Sequence, residues 1–469
     1  MLILIRFFWL AFKSYQNLFT LAHTMGLFDK LLNLIQSDDD TPSISPEAQL
    51  IRFGRYSDNN KTLAKTKQWY VAEDLYTAKN FNESIEAFFD YLRDENEDNV
   101  RLVKQGNGYT FELFQGTKIV KGEITETDIR AHVSLALMEK PSIPVMRRLL
   151  EMNFLLYYSR FALHEQKLCM LFDSPKNMAS PSKLYYGLKE LATKADKQDD
   201  LLLTDFSTLQ AVDDTHVTPF LALEKEVKYT HFKQWIEDTL AQVETLNQDS
   251  FSGGIAYLLL SLIYRLDFML MPEGKLLNEI ERINNLYWSN KEEKTAVERN
   301  QLLKDAFRKL VQWPKDEVLN YFYRAKATFA ITIPKPYTDV ADSIRSSKEN
   351  MQYYKDTKQE NIVQRLLEYG LAYPQYSYSL PKPVTDLFTL FMQVNHSSFF
   401  DALGLQYNFV QHGQLNEDRI RNTITSILNA FKDKYPKLTI SMSKLDFSSI
   451  PNFNLSLVTE MESLNFEPK

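Results

Sequence analysis

Between residues 81 and 195 the apolar positions change period several times, from helical to alternating and back, in the order helix, three or four strands, helix, hairpin, helix. A stretch that moves between the 3.6-residue and the two-residue rhythm describes a compact α+β module, in which helices cover one face of an antiparallel sheet. It does not by itself suggest a catalytic pocket.

The individual elements follow from side-chain spacing. Trp69, Ala72 and Tyr76, then Phe81, Ile85, Phe88 and Leu92, recur at three or four residues and predict a packed helix pair. Tyr109, Phe111 and Leu113 alternate with polar neighbours, as Ile129, Ala131, Val133, Leu135 and Leu137 do with Arg130, His132 and Ser134, which predicts strands with one wet face. Gly106, Gly108 and Gly116 stand between these runs, where hairpin turns require positive φ, and a meander is the simplest topology. Pro141-Ser142-Ile143-Pro144 opens a helix with Val145, Leu149, Met152 and Leu156 on its apolar side. Phe161 and Leu163 then pair with Leu168, Met170 and Phe172 across residues 164–167. Leu184, Leu188, Leu191 and Ala195 close the unit as an amphipathic helix behind Pro181.

The rest of the chain reads as helices, over 232–246, 255–271, 276–288, 296–311, 318–330, 340–354, 362–373, 384–394 and 415–435, with a late strand at 438–442. Residues 255–271 are the most apolar, but Arg265 and Asp267 interrupt them, which predicts the central buried helix of a bundle. The fold class is therefore α+β: an N-terminal module of antiparallel sheet with flanking helices, followed by a mainly α-helical domain. The expected boundaries are 1–24 for an upstream extension or non-native start, with Met25 as the start, and 25–61 for a short amphipathic helix and linker. The module occupies 62–212 and the helical domain 213–469. The acidic, Ser- and Pro-rich run at 36–46 predicts a solvated linker.

Charge and composition narrow the function. There are 54 basic and 61 acidic residues, giving a net charge of -7 with no basic block, so nucleic acid is not an expected partner. Arg6, Lys13 and Gln16 break the apolar run at the N-terminus, which makes a membrane span unexpected; an interfacial anchor using residues 1–20 is the alternative. The lone Cys169 lies in an apolar alternation and reads as structural. His164-Glu165 lacks the second histidine of a zinc helix, Asn99 stands where a calcium loop needs glycine, and no phosphate-cradling loop occurs, so no metal or cofactor is expected. An enzyme with a pocket in the helical half, using His396, His412 or Asp267, is the alternative from another class. An ion pair with a base on a neighbouring helix is the plainer expectation for Asp267.

The run MRRLLEMNFLLYYSRFALHEQKLCMLFDS, with Leu149, Leu150 and Asn153 leading into Tyr157, Phe161, Leu168 and Leu171, resembles the YbjN and type III secretion chaperone-like superfamily over residues about 80–200. The resemblance implies a chaperone-like or regulatory module that binds a polypeptide partner or client, often as a homodimer through the helix at 145–156. It brings no enzymatic residues and implies a bacterial, cytoplasmic protein. The long helical domain departs from that family.

Independently, a sheet edge can pair with an extended peptide. Phe154, Leu155, Leu156, Tyr157 and Tyr158 are also too many apolar neighbours for one helix face, and require either a partner or burial against the C-terminal helices, the plainer of the two. The candidate partner-contacting residues are Leu149, Leu150, Phe154, Tyr157 and Phe161.

Overall fold

Gly106 and Gly116 take φ of 57° and 56°, and each reverses the chain between two alternating runs. The computed structural model describes residues 48–212, 216–289 and 291–467. The expectations for an upstream extension, a start at Met25 and a solvated linker at 36–46 lie outside the described residues. The meander comprises β1 (Val100–Gln105), β2 (Gly108–Gln115), β3 (Lys118–Ile124) and β4 (Asp128–Leu137). After helix α1 (Ile143–Asn153), the hairpin of β5 (Arg160–His164) and β6 (Lys167–Pro175) turns at Glu165 and Gln166, both at positive φ. Its register sets Phe161 opposite Met170 and Leu163 opposite Leu168. β6 joins β4, so the antiparallel order is β1-β2-β3-β4-β6-β5, with the short strand Gln210–Ala211 added beside β4.

Alternation delivers one side of each strand to a core. Phe111, Leu113, Val120, Val133, Met170 and Phe172 meet helix α2 (Pro181–Asp205), which buries Leu184, Leu188, Leu191, Ala195 and Leu202. The helix pair Leu63–Thr77 and Phe81–Leu92 closes the same core with Ala72, Phe88, Phe89 and Leu92. A hydrogen bond from Ser84 Oγ to the Ala72 carbonyl, 2.7 Å, joins the two helices where their small residues meet.

A second apolar core lies in the helical half. Its centre is α3 (Ser252–Arg265), continued by a π-helical turn, Leu266–Leu270, and buried among its neighbours. Ser252–Leu270 is long and apolar enough to cross a bilayer, but here its apolar surface is used for packing. Arg265 and Asp267, which interrupt it in sequence, are both paired. Arg265 Nε lies 2.7 Å from Glu368, and Asp267 lies 2.5 Å from Arg55. The partner of Asp267 is thus not on a helix but in the segment 48–62.

That segment corrects the expected boundaries. Residues 48–61, expected as the end of a linker, are packed. Ala48 and Ile51 belong to the helical core, and the Phe53 ring contacts those of Phe399 and Phe400. Further on, Ser57 Oγ donates to the Leu380 carbonyl at 2.6 Å, while Asp58 accepts from Tyr185, Lys189 and the Ala330 N–H. The segment therefore passes from one core to the other.

A second segment crosses in the opposite direction. The expected helix at 318–330 exists only as Lys315–Asn320. Val318, Phe322 and Phe329 have helical spacing, but Phe322 is buried in the helical core and Phe329 in the sheet core, so the chain between them must extend. Gln115 Oε1 accepts the N–H groups of Thr328 and Phe329 at 3.2 and 3.0 Å, and Thr328 Oγ1 donates to the Phe114 carbonyl at 2.9 Å. A split of the chain at 212/213 therefore leaves part of the sheet core on the other side.

Two further differences lie near the C-terminus. Residues 438–442 are not a strand but irregular chain ending in the 3-10 turn Met442–Lys444. The helix Ile450–Glu462, started by Pro451 and the Ser449 cap, was not expected from the sequence.

Replacing Gln115 by Ala strands two buried amides, at about 1–3 kcal/mol each. The expected result is a loss of about 2–5 kcal/mol in equilibrium urea unfolding. Unchanged stability would show that this oxygen does not hold the crossing segment.

Candidate functional site

The module carries an apolar ridge built by one helix and the loop after it. Helix α1 buries Val145, Leu149 and Met152 at spacings of four and three. The opposite face then carries Ile143, Leu150 and the helix-capping Phe154, all exposed. Leu155, Tyr157 and Tyr158 extend the exposed row toward β5.

The ridge is held firmly from below. The Glu190 carboxylate, on α2, accepts the N–H groups of Tyr157, Tyr158 and Ser159 at 2.8–2.9 Å, and the Ser159 hydroxyl at 2.8 Å. Against the partial burial that pushes it upward, these donors keep the Glu190 carboxyl below its usual range. Asn153 Oδ1 accepts the Phe161 N–H at 2.7 Å, tying the helix end to β5. Phe154 and Tyr157, each 91% exposed, are thus presented by an anchored loop.

The candidate residues divide accordingly. Leu150, Phe154 and Tyr157 are at the surface. Leu149, 3% exposed, and Phe161, 8% exposed, face the core and cannot contact a partner. Burial against the C-terminal helices does not account for Phe154, Leu155 or Tyr157, which remain exposed. Ile143 and Leu155 belong to the ridge as well. Ile143 could have been found from its spacing of seven from Leu150, on the face opposite Val145 and Leu149.

Two neighbouring features bear on how a partner could approach. β5 ends the sheet on this side, but Asn153 occupies the Phe161 amide, so an added strand would lose that hydrogen bond. The wet face of the sheet forms an open trough of about 1040 Å³ that spans the strands. Ion pairs Arg101–Glu112 and Arg160–Asp173 lie at its two ends, with Lys121, Arg130 and Leu171 between them.

The residues considered for catalysis do not come together. Asp267 is held by Arg55, which also reaches Glu281 at 3.3 Å. His396 is buried beside Glu368 and the Trp235 ring, and burial together with Arg265 pulls its imidazole down to about 4. His412 is exposed in the turn between the short strands Val410–Gln411 and Gln414–Leu415. Among the described residues no group of three His, Cys, Asp or Glu side chains is placed to hold a metal ion. Cys169 is buried. The tyrosines at 369, 373 and 376 pack around the Tyr264 ring.

Comparison with protein-family models finds no match to this chain, and comparison with curated proteins finds none either.

The buried and the exposed candidate residues should separate in mutants. Leu149→Ala should cost about 2–5 kcal/mol of unfolding free energy, as large-to-small changes in cores do. Phe154→Ser with Tyr157→Ser should change stability by less than about 0.5 kcal/mol. Chemical denaturation of both variants checks this, and a large loss in the double variant would mean that the ridge serves the fold.

Proposed function

We propose that this chain is a non-enzymatic, chaperone-like or regulatory protein of the cytoplasm whose sheet module binds a polypeptide, either a client or a second copy of itself. The observation that supports the reading is the exposure of Phe154 and Tyr157 in one row with Ile143, Leu150 and Leu155, on a loop fixed by Glu190. Large apolar side chains in an anchored row gain free energy when covered and lose little conformational freedom in the process, which is the physical character of binding hot spots. Aromatic side chains such as these bury about 150–250 Å² each when covered. A few of them can therefore form the centre of a protein contact of about 800 Å² per partner.

The ridge protrudes, so the partner supplies the groove or the facing helix. Leu150 lies seven residues from Ile143 and four from Phe154, the spacing at which a helix offers a seam to another helix. The resemblance to the type III secretion chaperone-like superfamily points the same way, because it implies a polypeptide-binding module that dimerises through this helix.

Affinity purification of the full chain from its native cells, paired with the Leu150→Ser, Phe154→Ser, Tyr157→Ser triple variant, tests the reading. The wild type should carry a stoichiometric polypeptide, or sediment as a dimer, and the variant should lose at least about tenfold in that association while keeping its circular dichroism. Equal recovery and equal sedimentation of the two proteins would overturn the proposal.

A further inference from the structure

Helix α1 presents an apolar stripe and a set of cations side by side, and among the described residues neither is taken up. Ile143, Leu150, Phe154, Leu155 and Tyr157 stand exposed in the ridge. Arg147 and Arg148 are exposed beside them, and among the described residues neither forms an ion pair, nor does Lys140 just before the helix. The one acid on α1, Glu151, lies toward its far end. Its first turn holds no acidic residue, and the Ser142 side chain makes no capping hydrogen bond there. The start of α1 therefore adds its own fractional positive charge to three side-chain cations. The complement of such a surface is an amphipathic helix that ends in acid.

One segment of this chain has that composition. Residues 25–40 lie outside the described residues, and they read MGLFDKLLNLIQSDDD. At the helical period Leu27, Phe28, Leu31, Leu34 and Ile35 share one side and Asp29, Lys30 and Asn33 the other, with Asp38, Asp39 and Asp40 following. Laid antiparallel to α1 with Phe28 level with Phe154, this sequence brings Asp38 level with Pro144, in the first turn of α1. Lys30 then falls level with Met152, next to Glu151. The reach suffices as well. Residues 36–47 span up to about 40 Å when extended, against a length of about 37 Å for α2, the long helix of the sheet half. The described chain begins at Ala48, and by Asp58 it is bonded to Lys189 of α2, the neighbour of the Glu190 that anchors the ridge.

We propose that residues 25–40 cover the ridge of their own chain as an amphipathic helix, with Asp38, Asp39 and Asp40 against Arg147, Arg148 and the start of α1, so that a polypeptide partner must displace them. The displacement rests on the reading of the ridge as a binding surface. A tethered segment is present at an effective concentration of about millimolar, so a contact that would be weak between separate molecules is well occupied. The apparent affinity for the partner then falls in proportion to the fraction of chains left uncovered. Denaturant releases so weak a contact before the global transition, which leaves the extrapolated unfolding free energy unmoved.

Hydroxyl-radical footprinting of the full chain reads the cover at Phe154 and Tyr157, with Tyr353 of the helical half, also exposed, as the internal reference. In the Leu27→Asp, Leu31→Asp, Leu34→Asp variant, oxidation of the two ridge residues should rise at least about fivefold relative to Tyr353, and partner affinity should rise by the same factor. A synthetic peptide of residues 25–40 added to that variant should restore the protection. Equal oxidation in wild type and variant would overturn the proposal, as would protection in the wild type that disappears on dilution, which marks a second copy as its source. If the leucine variant loses its circular dichroism, charge decides. Arg147→Glu with Arg148→Glu should raise the oxidation, and adding Asp38→Lys with Asp39→Lys should lower it again; no change in the first or no recovery in the second refutes the cover. Failure of the cover and failure of the ridge as a binding surface are told apart, because the first leaves the oxidation rates equal and the second leaves partner recovery equal in the Leu150→Ser, Phe154→Ser, Tyr157→Ser variant.

Discussion

Two buried backbone amides, those of Thr328 and Phe329, share one acceptor, the Gln115 side-chain oxygen, and through it a piece of the helical half becomes part of the sheet core. A buried amide without an acceptor costs as much as a good hydrogen bond contributes, so this oxygen determines whether Phe329 can enter the core at all. The segment 48–62 makes the reciprocal crossing, with Ile51 in the helical core and Asp58 bound to Tyr185 and Lys189 of the sheet half. Asp58 also accepts the Ala330 N–H, so the two crossing segments hold one another. Neither half can be regarded as an independent bead on a string.

The sheet module was legible in the sequence because its burial follows a simple alternation. Tyr109, Phe111 and Leu113 face one side and Thr110 and Glu112 the other, as the two-residue period requires. The β5–β6 pairing and the buried face of α2 were legible for the same reason. The crossing segments were not. Val318, Phe322 and Phe329 fit a helical period, and nothing local reveals that two of them enter different cores. Residues 438–442 alternate like a strand, but among the described residues no strand lies beside them to pair with, and β propensity without a partner decides little.

The ridge was half legible. A cluster of apolar neighbours at 154–158 signals surplus surface, but choosing which of Leu149 and Leu150 faces outward requires the phase of α1, and Phe161 is carried inward by the register of β5 opposite Met170. The anchor could not be read at all, because Glu190 lies on another helix more than thirty residues away. What distinguishes this row from scattered surface leucines is that anchoring: exposed apolar side chains on a loose loop would collapse onto the nearest apolar surface, whereas a carboxylate bound to consecutive amides keeps them extended.

The crossing of residues 326–330 into the sheet core also orders events during biosynthesis. A ribosome delivers the strands, the hairpin and α2 first, and the nascent domain must wait with an unfilled place for Phe329 until much of the helical half has emerged. Its final consolidation is therefore a late step of translation, and a premature stop anywhere before that point releases a chain whose first domain is unfinished.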